Sequence, residues 1–107
     1  MNKWEIWLVE IPSSNGSEQA GTRPAIILAD VSNLTVIVPL TSNIQALRFP
    51  FTLEINPTKH NGLLTQSIAL LFHVRAIDKM RLKKKIGDLE HSKQKECDTL
   101  LKRLLQL

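Results

Sequence analysis

The chain has a single cysteine, Cys97, so no internal disulfide can form, and its three scattered histidines offer no metal-ligand spacing. No metal or cofactor is therefore expected, and any catalysis must use ordinary side chains. Long apolar runs are also missing. The longest, such as Ile68 to Phe72, fall far below the roughly 20 residues that cross a bilayer. The N-terminus lacks a basic-then-apolar signal pattern, so neither export nor a membrane partner is expected, and the cytoplasm is the expected compartment. Internal repeats, low-complexity segments and interdomain linkers are absent too. At 107 residues, one domain spanning residues 1–107 is the expected organisation.

What is present suits a globular fold, with 43% hydrophobic and 22% charged residues. The net charge of +4 is unevenly placed. Residues 1–78 carry five Lys/Arg and six Asp/Glu, whereas residues 79–107 carry nine and four. The C-terminal excess suits phosphate contacts and an acidic protein partner equally, so charge alone separates neither.

Trp4 to Ile11 reads W-E-I-W-L-V-E-I, a pattern that predicts a first strand. Trp4 and Trp7 then fall on opposite faces, at most one of them in the core. Pro12 to Thr22 gathers Ser, Asn and Gly and predicts a long loop. Pro24–Ala29 and Leu34–Leu40 are β-branched runs expected to pair across a turn at Asp30–Asn33. Phe49–Ile55 alternates after Pro50, which restricts it to an edge or a strand start. Ser67–Val74 is another apolar run, and five such strands predict a small closed or nearly closed barrel. Asp78 is placed to cap a short helix through Ile86 that Gly87 ends, with Lys83, Lys84 and Lys85 as its solvated face. From about Ser92, Cys97, Leu100, Leu101, Leu104 and Leu105 recur at helical spacing, which predicts an amphipathic helix docked on the strands, with Cys97 there for packing.

Three blocks carry a family resemblance. Gly16-Ser17-Glu18-Gln19-Ala20-Gly21-Thr22-Arg23-Pro24 resembles the G-x-E-x-x-G-x-R-P signature of the MazF/PemK toxins and is followed, as there, by an apolar strand. Val38-Pro39-Leu40-Thr41-Ser42-Asn43 resembles the strand end bearing that family's active-site threonine or serine. Ser67 to Leu82 resembles its strand, R-x-I-D turn and R-L segment, and Ile86-Gly87-Asp88-Leu89 its I-G-x-L ending. The resemblance covers nearly the whole chain. It implies a mainly β fold with a C-terminal helix, a Src-homology-3-like barrel of the MazF/CcdB type. It also implies a homodimeric toxin that cuts single-stranded RNA or mRNA without metal and is held in check by a cognate antitoxin.

Such cleavage needs the 2′-hydroxyl to lose a proton, the phosphorane charge to be stabilised, and the leaving 5′-oxygen to gain a proton. Arg23 suits the charge, since its guanidinium aims fixed N–H donors at phosphate oxygens. Glu18 suits the general base and Thr41 a hydrogen bond to a nonbridging oxygen. Ser17, Gln19, Thr22, Ser42, Arg48, Phe72 and His73 are the candidate RNA contacts. Phe72 and His73 depart from the acidic residue and glutamine that many relatives carry there. They offer base stacking and an imidazole instead, and no aspartate-based mechanism transfers to that position.

Blander readings stand beside these. Arg23 and Glu18 would equally pair to pin a loop, Thr41 would serve as a strand-end turn residue, and Phe72 and His73 would sit at a rim. A different class of function is open as well. A toxin sharing the barrel, such as the CcdB gyrase poisons, acts by protein binding through its C-terminal helix end, with Arg23 and Thr41 dispensable; a catalytically silent relative, given Phe72, is the remaining alternative.

Overall fold

The computed structural model describes residues 1–11 and 21–107. The strands are β1 (Glu5–Ile11), β2 (Gly21–Val31), β3 (Leu34–Thr41), β4 (Thr52–Ile55), β5 (Ser67–Leu70), β6 (Arg75–Asp78) and β7 (Leu82–Asp88), followed by helix α1 (His91–Leu105). They form one antiparallel sheet in the order β4-β5-β3-β2-β1-β7, with β6 also paired to β3.

The architecture is mainly β with a C-terminal helix, as expected, but the sheet is not closed: β4 and β7 are its two ends. Among the described residues, seven strands stand where five were expected. The largest correction lies in the expected 78–86 helix. Asp78 does cap a turn, its carboxylate accepting the Met80 N–H at 2.8 Å, but that 3-10 turn covers only Lys79–Arg81. Leu82–Asp88 then pairs with the outer edge of β1. The backbone groups of β1 need a partner, and this long-range pairing overrides the local helical preference of the lysine run. Lys83, Lys84 and Lys85 are therefore exposed on an edge strand, where charge discourages pairing with other chains. Gly87 lies inside β7 rather than ending a helix.

Alternation sorts most of the core into two clusters, beside a small third of Ala46, Ile68 and Leu70. Ile6, Ile26, Val38 and Leu40 join Leu53, Ile55, Leu63, Ala69, Leu71, Leu89 and Cys97 of α1 in the larger one. Val9, Ile11, Ala25, Ile27, Ile37 and Ile77 form the other. Leu100, Leu101 and Leu104 of α1 pack, partly buried, against the larger cluster beside Cys97, each contributing less than the about 1.5–3 kcal/mol of a fully buried side chain. Burial pushes the Cys97 thiol up to about 12, which fits packing rather than reactivity. Leu105, expected on the same stripe, is 52% exposed. Trp4 packs on the larger cluster and Trp7 on the smaller, so both tryptophans flank a core on opposite faces.

Two interruptions shape the functional end. β2 and β3 meet in a two-residue turn at Ser32 and Asn33, within the expected segment. β3 then changes partner, pairing β6 through Leu34–Ile37 and β5 through Leu40–Thr41. The expected continuous strand over Ser67–Val74 is broken there by a 3-10 turn at Leu71–His73. Leu71 plugs the core with no exposure, and Phe72 and His73 are lifted out of the sheet.

Candidate active site and nucleic-acid interface

Arg23 lies within β2, opposite Val9 of β1, rather than in a loop ahead of the strand. Thr41 is the last residue of β3. The β2–β3 ladder pairs Ala25 with Pro39, so one side-chain repeat further along each strand brings Arg23 and Thr41 level at the sheet end. Both are half-buried, and the Arg23 Nε is shut off from solvent.

Two cavities meet at this pair. The first, about 570 Å³, is lined by Arg23 and Thr41 together with Thr22, Ser42 and an apolar wall that includes Leu8, Pro24, Leu40, Leu63 and Ile86. The second, about 500 Å³, is lined by Arg23 and Thr41 with Asn43, Gln45, Ala46, Arg48, Phe49, Leu70, Phe72 and His73. The expected contacts thus divide, Thr22 and Ser42 to the first and Arg48, Phe72 and His73 to the second. Ser17, Glu18 and Gln19 lie outside the described residues.

A hydrogen-bonded clasp holds the wall of the first cavity. Asn61, fully buried, accepts the N–H groups of Thr58 and Leu63 at 3.0 Å each and donates to the Asn56 carbonyl at 2.8 Å. Its amide also reaches Glu90 at 3.2 Å, and the Thr58 hydroxyl donates to the same carboxylate. Burial alone would raise the Glu90 pKa. Hydrogen bonds from Thr58, its own backbone and Asn61, together with the nearby His60, outweigh that and hold it below the usual 4.5. Glu90 therefore spends its side chain on the Asn56–Leu63 segment, making no cap bond to α1. Two glycines permit the close approach. A Cβ on Gly62 would lie 1.9 Å from the Ile86 carbonyl oxygen, and one on Gly87 would lie 2.3 Å from the Asn61 carbonyl carbon. Gly62 also adopts a positive φ of 71°, which glycine takes without steric cost.

The second cavity carries most of the exposed recognition groups, beside buried Ala46 and Leu70. The rings of Phe49 and Phe72 meet edge to face at 6.1 Å, and His73 lies tilted against Phe72 at 4.6 Å. The Arg48 guanidinium sits 5.0 Å from the Phe49 ring centre. The Thr41 hydroxyl oxygen accepts the Asn43 N–H at 3.2 Å, so the turn role considered for it exists, and the hydroxyl hydrogen still points to a donor role. Asn43 in turn caps the 3-10 helix Ile44–Arg48 by accepting the Gln45 N–H at 3.0 Å.

Asn43, Gln45 and Phe49 were not singled out by sequence reasoning. An Asn two residues past a strand-end threonine and an aromatic next to Arg48 are the signals that point to two of them. Leu64, 95% exposed beside the first cavity, has no signal of its own. Among the described residues no group of three His, Cys, Asp or Glu could hold a metal ion, and no helix is long and apolar enough to cross a membrane.

Comparison with known proteins converges on one family. A model described as PemK-like, MazF-like toxin of type II toxin-antitoxin system matches residues 2–105. An endoribonuclease MazF of Staphylococcus saprophyticus is 30% identical over 106 residues, 94% of this chain and 88% of that protein. Among solved structures, MazF (Form-I) from Deinococcus radiodurans superposes with a TM-score of 0.79 at 24% identity, covering 100% of this chain and 97% of that one. Mycobacterium tuberculosis toxin MazF-mt6 gives 0.76 at 16% identity, covering 96% and 97%. MazE-MazF (Form-II) from Deinococcus radiodurans gives 0.74 at 24% identity, covering 100% and 96%. The sheet, its C-terminal helix and a family match over nearly every residue agree: this chain belongs to the PemK-like, MazF-like toxins of type II toxin-antitoxin systems.

Proposed function

We propose that the protein is a metal-independent endoribonuclease that cuts single-stranded RNA, with the substrate's own 2′-hydroxyl as nucleophile. The observation that carries this reading is the shared position of Arg23 and Thr41 between two cavities. A scissile phosphate held at that junction has one flanking nucleotide on either side. Arg23 stabilises the charge that grows on the phosphorane, where a fixed guanidinium is stronger in the transition state than in the substrate. Thr41 donates its hydroxyl hydrogen to a nonbridging oxygen. Glu18 takes the 2′-hydroxyl proton as general base, and the departing 5′-oxygen takes a proton from water to leave as a hydroxyl. Thr22 and Ser42 contact the strand on the apolar side, Arg48, Phe72 and His73 on the aromatic side, and Ser17 and Gln19 from the connection before β2.

The enzyme acts as a homodimer in the cytoplasm, and a cognate antitoxin silences it with an acidic, largely disordered segment laid into the same groove. The name of the Deinococcus MazE-MazF structure, a similar fold, is in keeping with such a complex.

One observation favours a second reading. Leu105 and Leu107 are 52% and 89% exposed at the end of α1, a small apolar surface suited to protein binding, as in a poison acting on another protein.

Incubating the purified protein with RNA in excess EDTA separates the two. The proposed chemistry leaves a 2′,3′-cyclic phosphate beside a 5′-hydroxyl. RNA that stays intact while a control ribonuclease works, with toxicity abolished by changes at Leu105 and Leu107, would replace the first reading by the second.

A further inference from the structure

From Thr41 a hydrogen-bonded relay runs into the aromatic cavity through Asn43 and Gln45, two residues that the proposed chemistry does not use. The Thr41 hydroxyl oxygen accepts the Asn43 N–H at 3.2 Å, and the Asn43 Oδ1 accepts the Gln45 N–H at 3.0 Å. The second bond fixes which way the Asn43 amide points. A backbone N–H can only donate, so the oxygen must face Gln45 and the NH2 group must face away from it. Among the described residues no acceptor takes that NH2 group, and Asn43 is an exposed lining residue of the 500 Å³ cavity.

Around it stand the half-exposed rings of Phe49 and Phe72, two of only three phenylalanines in the chain. Phe72 is 39% exposed and Phe49 47%, although aromatic rings of this size are normally withdrawn from water. Aromatic faces beside unspent amides are how proteins hold a splayed-out base of single-stranded RNA and read its edge.

We infer that Asn43 reads the base of one nucleotide adjoining the cut and favours the carbonyl edge of uracil or guanine over the amino edge of cytosine or adenine. The inference rests on the proposed ribonuclease reading and deepens it. Its chemistry follows from the locked amide. The Asn43 NH2 group can only donate, so where it meets the exocyclic position of the base it matches the uracil O4 or guanine O6 acceptor and meets the amino group of cytosine or adenine donor to donor. The geometry also explains how a base edge is kept in step with the reacting phosphate. Thr41, which borders both cavities, is tied to the backbone of Asn43 directly, so phosphate and base are read from one short rigid turn.

The test is a substitution that keeps the cap and reverses the edge. Asn43→Asp still accepts the Gln45 N–H, because aspartate caps as well as asparagine, but it presents an acceptor where the NH2 group stood. Asn43→Ser keeps a capping oxygen and removes the donor. Wild type and both variants would digest a random-sequence RNA pool, with the cut ends mapped by sequencing. The preference is a ratio within each digest, so a change in overall rate does not disturb it.

The expected wild-type result is an excess of uracil or guanine at one position flanking the cut. Asn43→Asp should shift the keto-to-amino ratio at that position by about tenfold toward cytosine and adenine, and Asn43→Ser should bring it near one. Identical preferences in all three proteins, each cutting RNA, would overturn the assignment of Asn43 and leave the ribonuclease reading standing. A wild type that cuts no RNA would overturn both.

Discussion

The two cavities that meet at Arg23 and Thr41 are built on opposite plans. One is walled by Leu8, Pro24, Leu40, Leu63 and Ile86, and its wall is locked in place by Asn61, Glu90 and the interleaved Gly62 and Gly87. The other is lined largely by exposed side chains on and beside two short 3-10 turns, Ile44–Arg48 and Leu71–His73, together with buried Ala46 and Leu70. The difference teaches where this fold fixes geometry and where it leaves chemistry free to vary. The first cavity depends on backbone interlock and tolerates little, whereas the second presents rings, amides and an imidazole that change without disturbing the core.

The largest expected effect falls on the group both cavities share. Arg23→Ala should lower kcat for RNA cleavage by about 10³-fold, comparable to losing a charge-stabilising donor in other acyl- or phosphoryl-transfer sites, while the melting temperature changes little by comparison. Single-turnover cleavage beside a thermal melt checks this. A rate near wild type would remove the reason for treating the two cavities as halves of one site.

Next comes the locked wall. Gly87→Ala forces a Cβ into backbone rather than into a yielding side chain, and it should cost about 3 kcal/mol or more of unfolding free energy, read from urea denaturation. A neutral outcome would mean that the Asn56–Leu63 segment moves aside freely, contrary to the contrast drawn between the cavities.

On the other side, Phe72→Ala should weaken binding of a 2′-O-methyl RNA strand roughly tenfold, with stability nearly intact because the ring is already half in water. Unfolding by this change would show that the aromatic cavity is structural too.

The smallest effect concerns pH. Glu90 has its folded pKa lowered relative to the usual 4.5, so its contribution to stability is complete above that value and is lost as pH falls through the lowered one. Glu90→Gln should therefore be less stable than wild type at neutral pH, and the gap should close as the pH drops below about 4.5. A constant difference across that range would assign the clasp to shape rather than to charge.

Much of this arrangement was legible in the residues. The strands around Ile6, Ile26 and Val38 followed from β-branched alternation, and the C-terminal helix from the spacing of Cys97, Leu100, Leu101 and Leu104. The Arg23 and Thr41 blocks were legible through their family pattern, and their being level at the sheet end follows from strand register. Residues 82–88 misled because three lysines in a row say nothing about strand pairing, and only the unpaired edge of β1 decides their state. The fold class was legible, but the degree of closure was not, since it depends on how far β4 and β7 curl toward each other. Gly62 and Gly87 are 25 residues apart, and their interlock is a tertiary contact that no local signal announces. Asn43 and Gln45 gain meaning only when the turn at Leu71–His73 brings Phe72 and His73 to the same cavity.

A crystal structure with a 2′-O-methyl RNA strand, which binds but lacks the attacking hydroxyl, tests the central claim most directly. The expected result is a backbone phosphate within hydrogen-bonding distance of both the Arg23 guanidinium and the Thr41 hydroxyl, with one neighbouring nucleotide in each cavity. RNA bound elsewhere, with Arg23 facing no phosphate, would contradict it.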